Sequence, residues 1–159
     1  MPQQKTDSLG NEYRYSVLEI SQQKFGVEVL HVLEVLPMPK ITPVPNVHRS
    51  ILGVFNLRGQ IHSLLDLRVL FHLEQTAITA DNYVVLIKEG DMTMGVLVDR
   101  VLDLVLMDAA KMALPTQDMA GPYIQYTSGV YEHTTMGVIY ILDLNAILNA
   151  KEIYQYRFV

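Results

Sequence analysis

The chain has 159 residues, no cysteine and a formal net charge of −5. Without thiols there is no disulfide framework, thiolate metal site or thiol nucleophile, and an acidic balance with dispersed Lys and Arg argues against a nucleic-acid partner, which needs cations gathered on one face. Half of the residues are apolar and only 18% are charged, so part of the apolar surface is expected to meet other proteins.

The opening stretch, MPQQKTDSLGNEYRY, lacks the basic and apolar regions of a secretory signal. No apolar run approaches the ~20 residues of a membrane span. The expectation is a cytoplasmic protein with no direct membrane insertion, residues 1–12 forming a disordered tail, 13–150 a single domain, and 151–159 a C-terminal tail. Strand patterns, rich in β-branched and aromatic residues, cover 13–20 (YRYSVLEI) and 25–35 (FGVEVLHVLEV). Residues 36–47 (LPMPKITPVPNV) contain four prolines and read as an extended connector that cannot sit in a sheet centre. Strand patterns resume over 53–67 (GVFNLRGQIHSLLDL), followed by a short helix over 66–73 begun by Asp66, whose carboxylate can cap free backbone N–H groups. Further strands are expected at 83–88 and 94–106, with a hairpin turn at Gly90 between them, and as a pair within 128–142. A second short helix, begun by Asp143, covers 143–150.

Two internal repeats stand out. The pattern GV-x-V-x-x-VL-acid occurs at Gly26 to Glu34 and again at Gly95 to Asp103, an offset of 69 residues. Gly53-Val54-Phe55 leading to Leu65-Asp66-Leu67 is echoed by Gly129-Val130-Tyr131 leading to Leu142-Asp143-Leu144, at offsets of 76 to 77. Matches in the same order favour a duplicated β unit. The reading is two similar small barrels of about 70 residues, each too small to bury much alone and so packed against the other, with a groove at the seam.

Catalytic and metal signatures are sparse. The five histidines, His31, His48, His62, His72 and His133, form no HExxH pair. His62 and Asp66 share a strand face but lie about 13 Å apart along it. No G-x-S-x-G elbow, Walker loop or G-x-G-x-x-G is present. The sequence therefore predicts no catalytic residues, no cofactor and no metal. Met92, Met94, Met107, Met112 and Met119 are expected mainly to fill gaps in the core.

Arg58, placed before Gly59 inside an apolar run, is the exception to the pattern. Either its stem lies on apolar surface with a solvated head, or a turn at Arg58-Gly59 presents the guanidinium to an acid on a neighbouring strand, for which Glu34 is the candidate. The second repeat has Asp103 where the first has Glu34, but Thr134 or Thr135 where Arg58 would be.

The block NLRG-x-I-x-x-LLDLR (56–68), with FGVEVLHVLEV before it and MGVLVDRVLDLVL after it, resembles the CheW family of chemotaxis coupling proteins from about Tyr13 to Leu148. The resemblance implies a mainly β fold of two intertwined five-stranded SH3-like barrels with short helices. It also implies a non-catalytic scaffold linking the cytoplasmic tip of a chemoreceptor to the regulatory domain of a CheA-type histidine kinase, within receptor arrays at the inner face of the membrane. Glu34 and Arg58 are implied to form a salt bridge near the receptor groove, with Val32, Tyr83, Val84, Val101 and Leu104 lining the seam beside them. The kinase is implied to meet an edge of the first barrel on or beside Ile41, Thr42, Gly53, Gly59 and Ile61. Many relatives carry an apolar residue and proline where this chain has His62-Ser63. The same module serves twitching and phototaxis pathways as well as flagellar ones. Two other readings have distinct requirements. A hydrolase using His62 or His133 needs a carboxylate or metal beside the imidazole. An SH3-like peptide-binding module needs an exposed aromatic groove, for which Tyr13, Tyr15, Tyr123, Tyr126 and Tyr131 are the candidates.

Overall fold

The repeated motif marks the point where the chain leaves one sheet for the other. In the computed structural model, which describes residues 12–116 and 121–154, the run 25–35 is not one strand. It divides into β2 (Gln23–Glu28), a 3-10 turn (Val29–His31) and β3 (Val32–Pro37). The run 94–106 divides at Asp99 into β7 (Met92–Val98) and β8 (Arg100–Asp108). No Gly or Pro interrupts either run at its break, and β-compatible residues flank it on both sides, so local pattern alone reads straight through.

With β1 (Glu12–Ile20), β4 (Ile51–Leu57), β5 (Gln60–Leu65), β6 (Tyr83–Glu89), β9 (Thr127–His133) and β10 (Gly137–Leu142), the strands form two five-stranded sheets in the orders β8-β1-β2-β10-β9 and β3-β6-β7-β5-β4. Replacing each strand by its counterpart in the other repeat (β1 with β6, β2 with β7, and so on to β5 with β10) converts one order into the other. The duplication is therefore real, but the units are not consecutive 70-residue modules. Each sheet takes two strands from one half of the chain and three from the other.

The parallel pairings β2·β10 and β5·β7 tie the halves together. The first repeat's Gly26 and its counterpart Gly95 lie at these crossings, paired with Ile141 and Leu64. A Cβ at Gly26 would meet Ile141 Cδ1 at 2.8 Å, and one at Gly95 would meet Phe55 Cε1 at 2.8 Å. Glycine is there because the neighbouring side chains already fill the space.

Three apolar clusters follow from this arrangement. One, with Tyr15, Val17, Val105, Met107, Ile139 and Ile141, belongs to the first sheet. Its counterpart in the second contains Leu36, Phe55, Leu64, Val84, Leu86 and Leu97. Between them a larger core joins both sheets and the helices through Leu18, Phe25, Leu65, Phe71, Val85, Val96, Leu142 and Ile147. Within it, Phe25, Phe71, Tyr123, Tyr126 and Tyr140 pack ring to ring at 5.3 to 6.1 Å.

The short helices begin as their sequences predict. Asp66 Oδ1 accepts from Arg68 N at 3.1 Å at the start of α1 (Leu67–Phe71), and Asp143 Oδ1 accepts from Ala146 N at 3.0 Å at the start of α2 (Leu144–Leu148). At the end of the described chain, Lys151–Tyr154 form a further helical turn, α3, with Ile153 fully buried, rather than the tail expected from 151 onward. Glu12 likewise opens β1. The rest of both expected tails, residues 1–11 and 155–159, and Met119 lie outside the described residues. Among those described, no helix is long and apolar enough to cross a membrane.

Candidate functional site

Arg58 and Gly59 are the two central residues of the β4–β5 hairpin. Both have positive φ, 50° and 84°, as the type I′ turn favoured by twisted hairpins requires. Glycine takes that conformation freely, whereas arginine there is strained. The turn is braced by Asn56 Oδ1, which accepts from Gly59 N at 2.9 Å. It aims the guanidinium at β3, where Arg58 Nη1 donates to Glu34 Oε2 at 2.9 Å and Nη2 donates to Glu34 Oε1 at 2.5 Å.

The pair of Arg58 and Glu34 is thus formed and bidentate, and hydrogen bonds from the guanidinium hold the Glu34 carboxylate below its ordinary range. It is also open to solvent: the Arg58 side chain is 70% exposed and that of Glu34 31%. Exposed ion pairs contribute little to stability, and this one is carried on a turn in which arginine has positive φ.

The second repeat lacks this device. Asp103, the counterpart of Glu34, accepts from its neighbour Leu104 N at 2.8 Å, and the β9–β10 turn is organised by His133 Nδ1 accepting from Thr135 N and Met136 N.

The other residues implied to contact the receptor do not all join the Glu34–Arg58 surface. Tyr83 and Val101 share a recess with Val35, Pro37, Asp99 and Arg100, where the β3–β6 edge meets the start of β8. Glu34 and Arg58 line a separate recess with Leu33, His62, Leu86 and Lys88. Edge strand β3 contributes to both, so the expected single lining becomes two faces related by that strand. Val32 and its counterpart Val101 are half-buried against the central core. Leu104 is 64% exposed, but Val84 is 0% exposed. The Val84 side chain is interior, and its expected place in a contact surface is corrected accordingly.

On the expected kinase edge, Gly59, Ile61 and Thr42 are exposed and Ile41 is half-buried against the β3–β6–β7–β5–β4 core. Gly53 is buried, and a Cβ there would run into the Thr42 carbonyl. It lets the proline-rich connector bridge the β4 edge through Thr42 N to Val54 O at 2.8 Å and Val54 N to Thr42 O at 2.9 Å. Gly53 therefore lies beside that edge and shapes it by admitting the Thr42 carbonyl.

Several side chains named for the two competing readings are buried or engaged elsewhere. Asp66, the acid nearest His62 in sequence, is bound by Arg68, and His133 Nδ1 serves its own turn. Among the described residues, no group of three or more His, Asp and Glu could hold a metal ion. Tyr15, Tyr123 and Tyr126 are buried, so the proposed tyrosines do not form an exposed groove.

The sequence reading also missed exposed apolar residues along both free edges, Leu33 and Val35 on β3 and Leu106 beside Leu104 on β8. In LDLVL the inward and outward residues are equally apolar, so alternation gave no contrast.

Two sheets interwoven through a duplicated motif, with one repeat carrying the NLRG turn and its Glu34 partner, define a CheW-like architecture. Residues 14–152 match the CheW-like domain, and the chain belongs to that family. It is 25% identical over 146 residues to the chemotaxis protein CheW of Treponema pallidum (strain Nichols), covering 89% of this chain and 85% of that one. It is 24% identical over 148 residues to the chemotaxis protein CheW of Klebsiella aerogenes, covering 92% and 86%. The crystal structure of the scaffolding protein TtCheW from Thermoanaerobacter tengcongensis superposes with a TM-score of 0.79 at 21% identity, covering 88% of this chain and 94% of that one.

Proposed function

We propose that this chain, a chemotaxis coupling scaffold by family, joins the cytoplasmic tip of a chemoreceptor to the regulatory domain of a CheA-type histidine kinase, acting by binding and without catalysis. The observation that carries this reading is the exposed bidentate Glu34–Arg58 pair on a strained turn, which adds little stability and presents a fixed charge pattern. A receptor helix laid against the β3 edge would meet this pair on one side and the apolar residues Val35, Tyr83 and Val101 on the other. The kinase would use the β4 edge around Thr42, with Gly59 and Ile61 beside it on the β4–β5 hairpin. The two proposed faces adjoin at that hairpin, through which geometry would pass between two interfaces, and the scaffold would sit in receptor arrays at the inner face of the membrane.

The test is a pull-down with a receptor-tip fragment and the kinase regulatory domain, repeated with Arg58→Glu. Receptor retention is expected to fall by about tenfold or more, since like charges then face each other at an interface, while the kinase domain is retained. Unchanged retention of both partners removes Glu34 and Arg58 from the account.

A further inference from the structure

The recess beside the Glu34–Arg58 pair holds polar groups that the fold itself does not use. Its volume is about 560 Å³, and Leu33, Leu57 and Leu86 supply apolar wall. His62, on β5, lines it while being only 8% exposed. Its imidazole packs against Phe55 at 5.7 Å between ring centres, and its nitrogens are not sealed off: among the described residues the fully buried side-chain atom without a partner is Ser63 Oγ, not a His62 nitrogen. The ring thus presents a polar edge to the recess, able to donate or accept there.

Lys88, opposite Thr93 on the β6–β7 hairpin, also lines the recess. Its ammonium forms no ion pair among the described residues, and the Glu34 carboxylate lining the same recess is bound by Arg58. The recess therefore offers one unused cation, one unused imidazole and leucine walls.

We propose that this recess receives the carboxylate of a glutamate side chain from the helix that docks across Glu34–Arg58. The methylene stem lies on the leucines, and the carboxylate accepts from the His62 ring N–H and from the Lys88 ammonium. Charge complementarity selects an acid, since Glu34 is already neutralised and Lys88 is not. The His62 ring N–H supplies a donor for the bound carboxylate at the wall of the recess. This assignment rests on the scaffold reading for its source of the glutamate, but the chemistry of the recess can be tested independently.

Two titrations decide the matter, both followed through the imidazole resonances of His62 in the ¹⁵N-labelled full chain. In the first, 4-methylpentanoate, a free acid with a leucine-like tail, is expected to shift those resonances saturably, while the uncharged 4-methylpentanamide does not. Lys88→Met abolishes the shift; in His62→Leu, which lacks that probe, the acid leaves the backbone amide resonances of Ile61 and Ser63 unmoved although it moves them in the unaltered chain, and each variant is checked for an intact fold. Absence of any shift with the acid overturns the proposed site.

In the second, a receptor-tip fragment is added with its glutamates changed singly to glutamine. One such change is expected to weaken binding about tenfold, and the loss is not compounded in Lys88→Met, as for two groups in direct contact. If the acid binds but no glutamate matters, the helix-borne occupant is overturned. If the fragment fails to bind the unaltered chain, the scaffold reading fails while the acid titration still decides the recess.

Discussion

Arg58 and Arg68 lie ten positions apart and illustrate opposite uses of one residue type. Arg58 reaches outward to Glu34, whereas Arg68 turns inward, its side chain 4% exposed against an Asp66 side chain at 3%. Arg68 donates from Nε to Asp66 Oδ1 at 2.9 Å, from Nη2 to Asp66 Oδ2 at 3.0 Å, and from Nη1 to the Thr76 carbonyl at 3.0 Å. The pair thus fastens the helix cap to the segment leading into β6. Removing one partner leaves an uncompensated buried charge, so Arg68→Met is expected to cost about 3 to 5 kcal/mol in urea unfolding, while Arg58→Met leaves the midpoint nearly unchanged. His62 supplies a second test. Its burial disfavours protonation, so on acidification through the ordinary histidine value of about 6.5 the unfolded chain takes up more protons and stability falls. Between about pH 7.5 and about pH 5.5, the unaltered chain should lose stability relative to His62→Leu; parallel curves would contradict this. The Glu34–Arg58 candidate was visible in the sequence because a charge within an apolar run demands a partner. The Asp66–Arg68 pair was not, because residues two apart face each other only where the chain folds back at a helix cap.

Strands and helix starts were largely legible, since alternation, turn glycines and capping aspartates act over a few residues. What escaped was the partition of the two long runs at 29–31 and at Asp99, which long-range pairing decides: β2 is held by β1 and β10, and β3 by β6. The repeats diverge at their edges as well. Gly53 and Gly129 are counterparts, each beside a bridge from the preceding connector, Thr42 to Val54 and Ala113 to Val130. A Cβ at Gly53 would strike the Thr42 carbonyl, and φ there is +150°. A Cβ at Gly129 would meet Met112 Sδ at 2.6 Å, the end of a flexible side chain. Gly53→Ala is therefore expected to destabilise by about 2 kcal/mol or more and Gly129→Ala by about 1 kcal/mol or less, on the scale of overpacking. Comparable unfolding midpoints for the two variants would show that the Thr42 bridge yields as easily as Met112.

The intertwining has a consequence for the fold taken together. Because both sheets draw strands from both halves, fragments 12–76 and 77–154 should each lack fixed tertiary structure and regain it on mixing, whereas consecutive modules would fold separately. Near-ultraviolet circular dichroism of the fragments, apart and combined, distinguishes these outcomes. A framework stitched in this way sets its edges at fixed relative positions, and the proposed coupling requires that partners on the β3 side and on the β4 edge be seated together. Sedimentation velocity of the full chain with the receptor-tip fragment and the kinase regulatory domain measures this directly. A single ternary species containing all three is predicted; displacement of one partner by the other, or binding of neither, would contradict the coupling function.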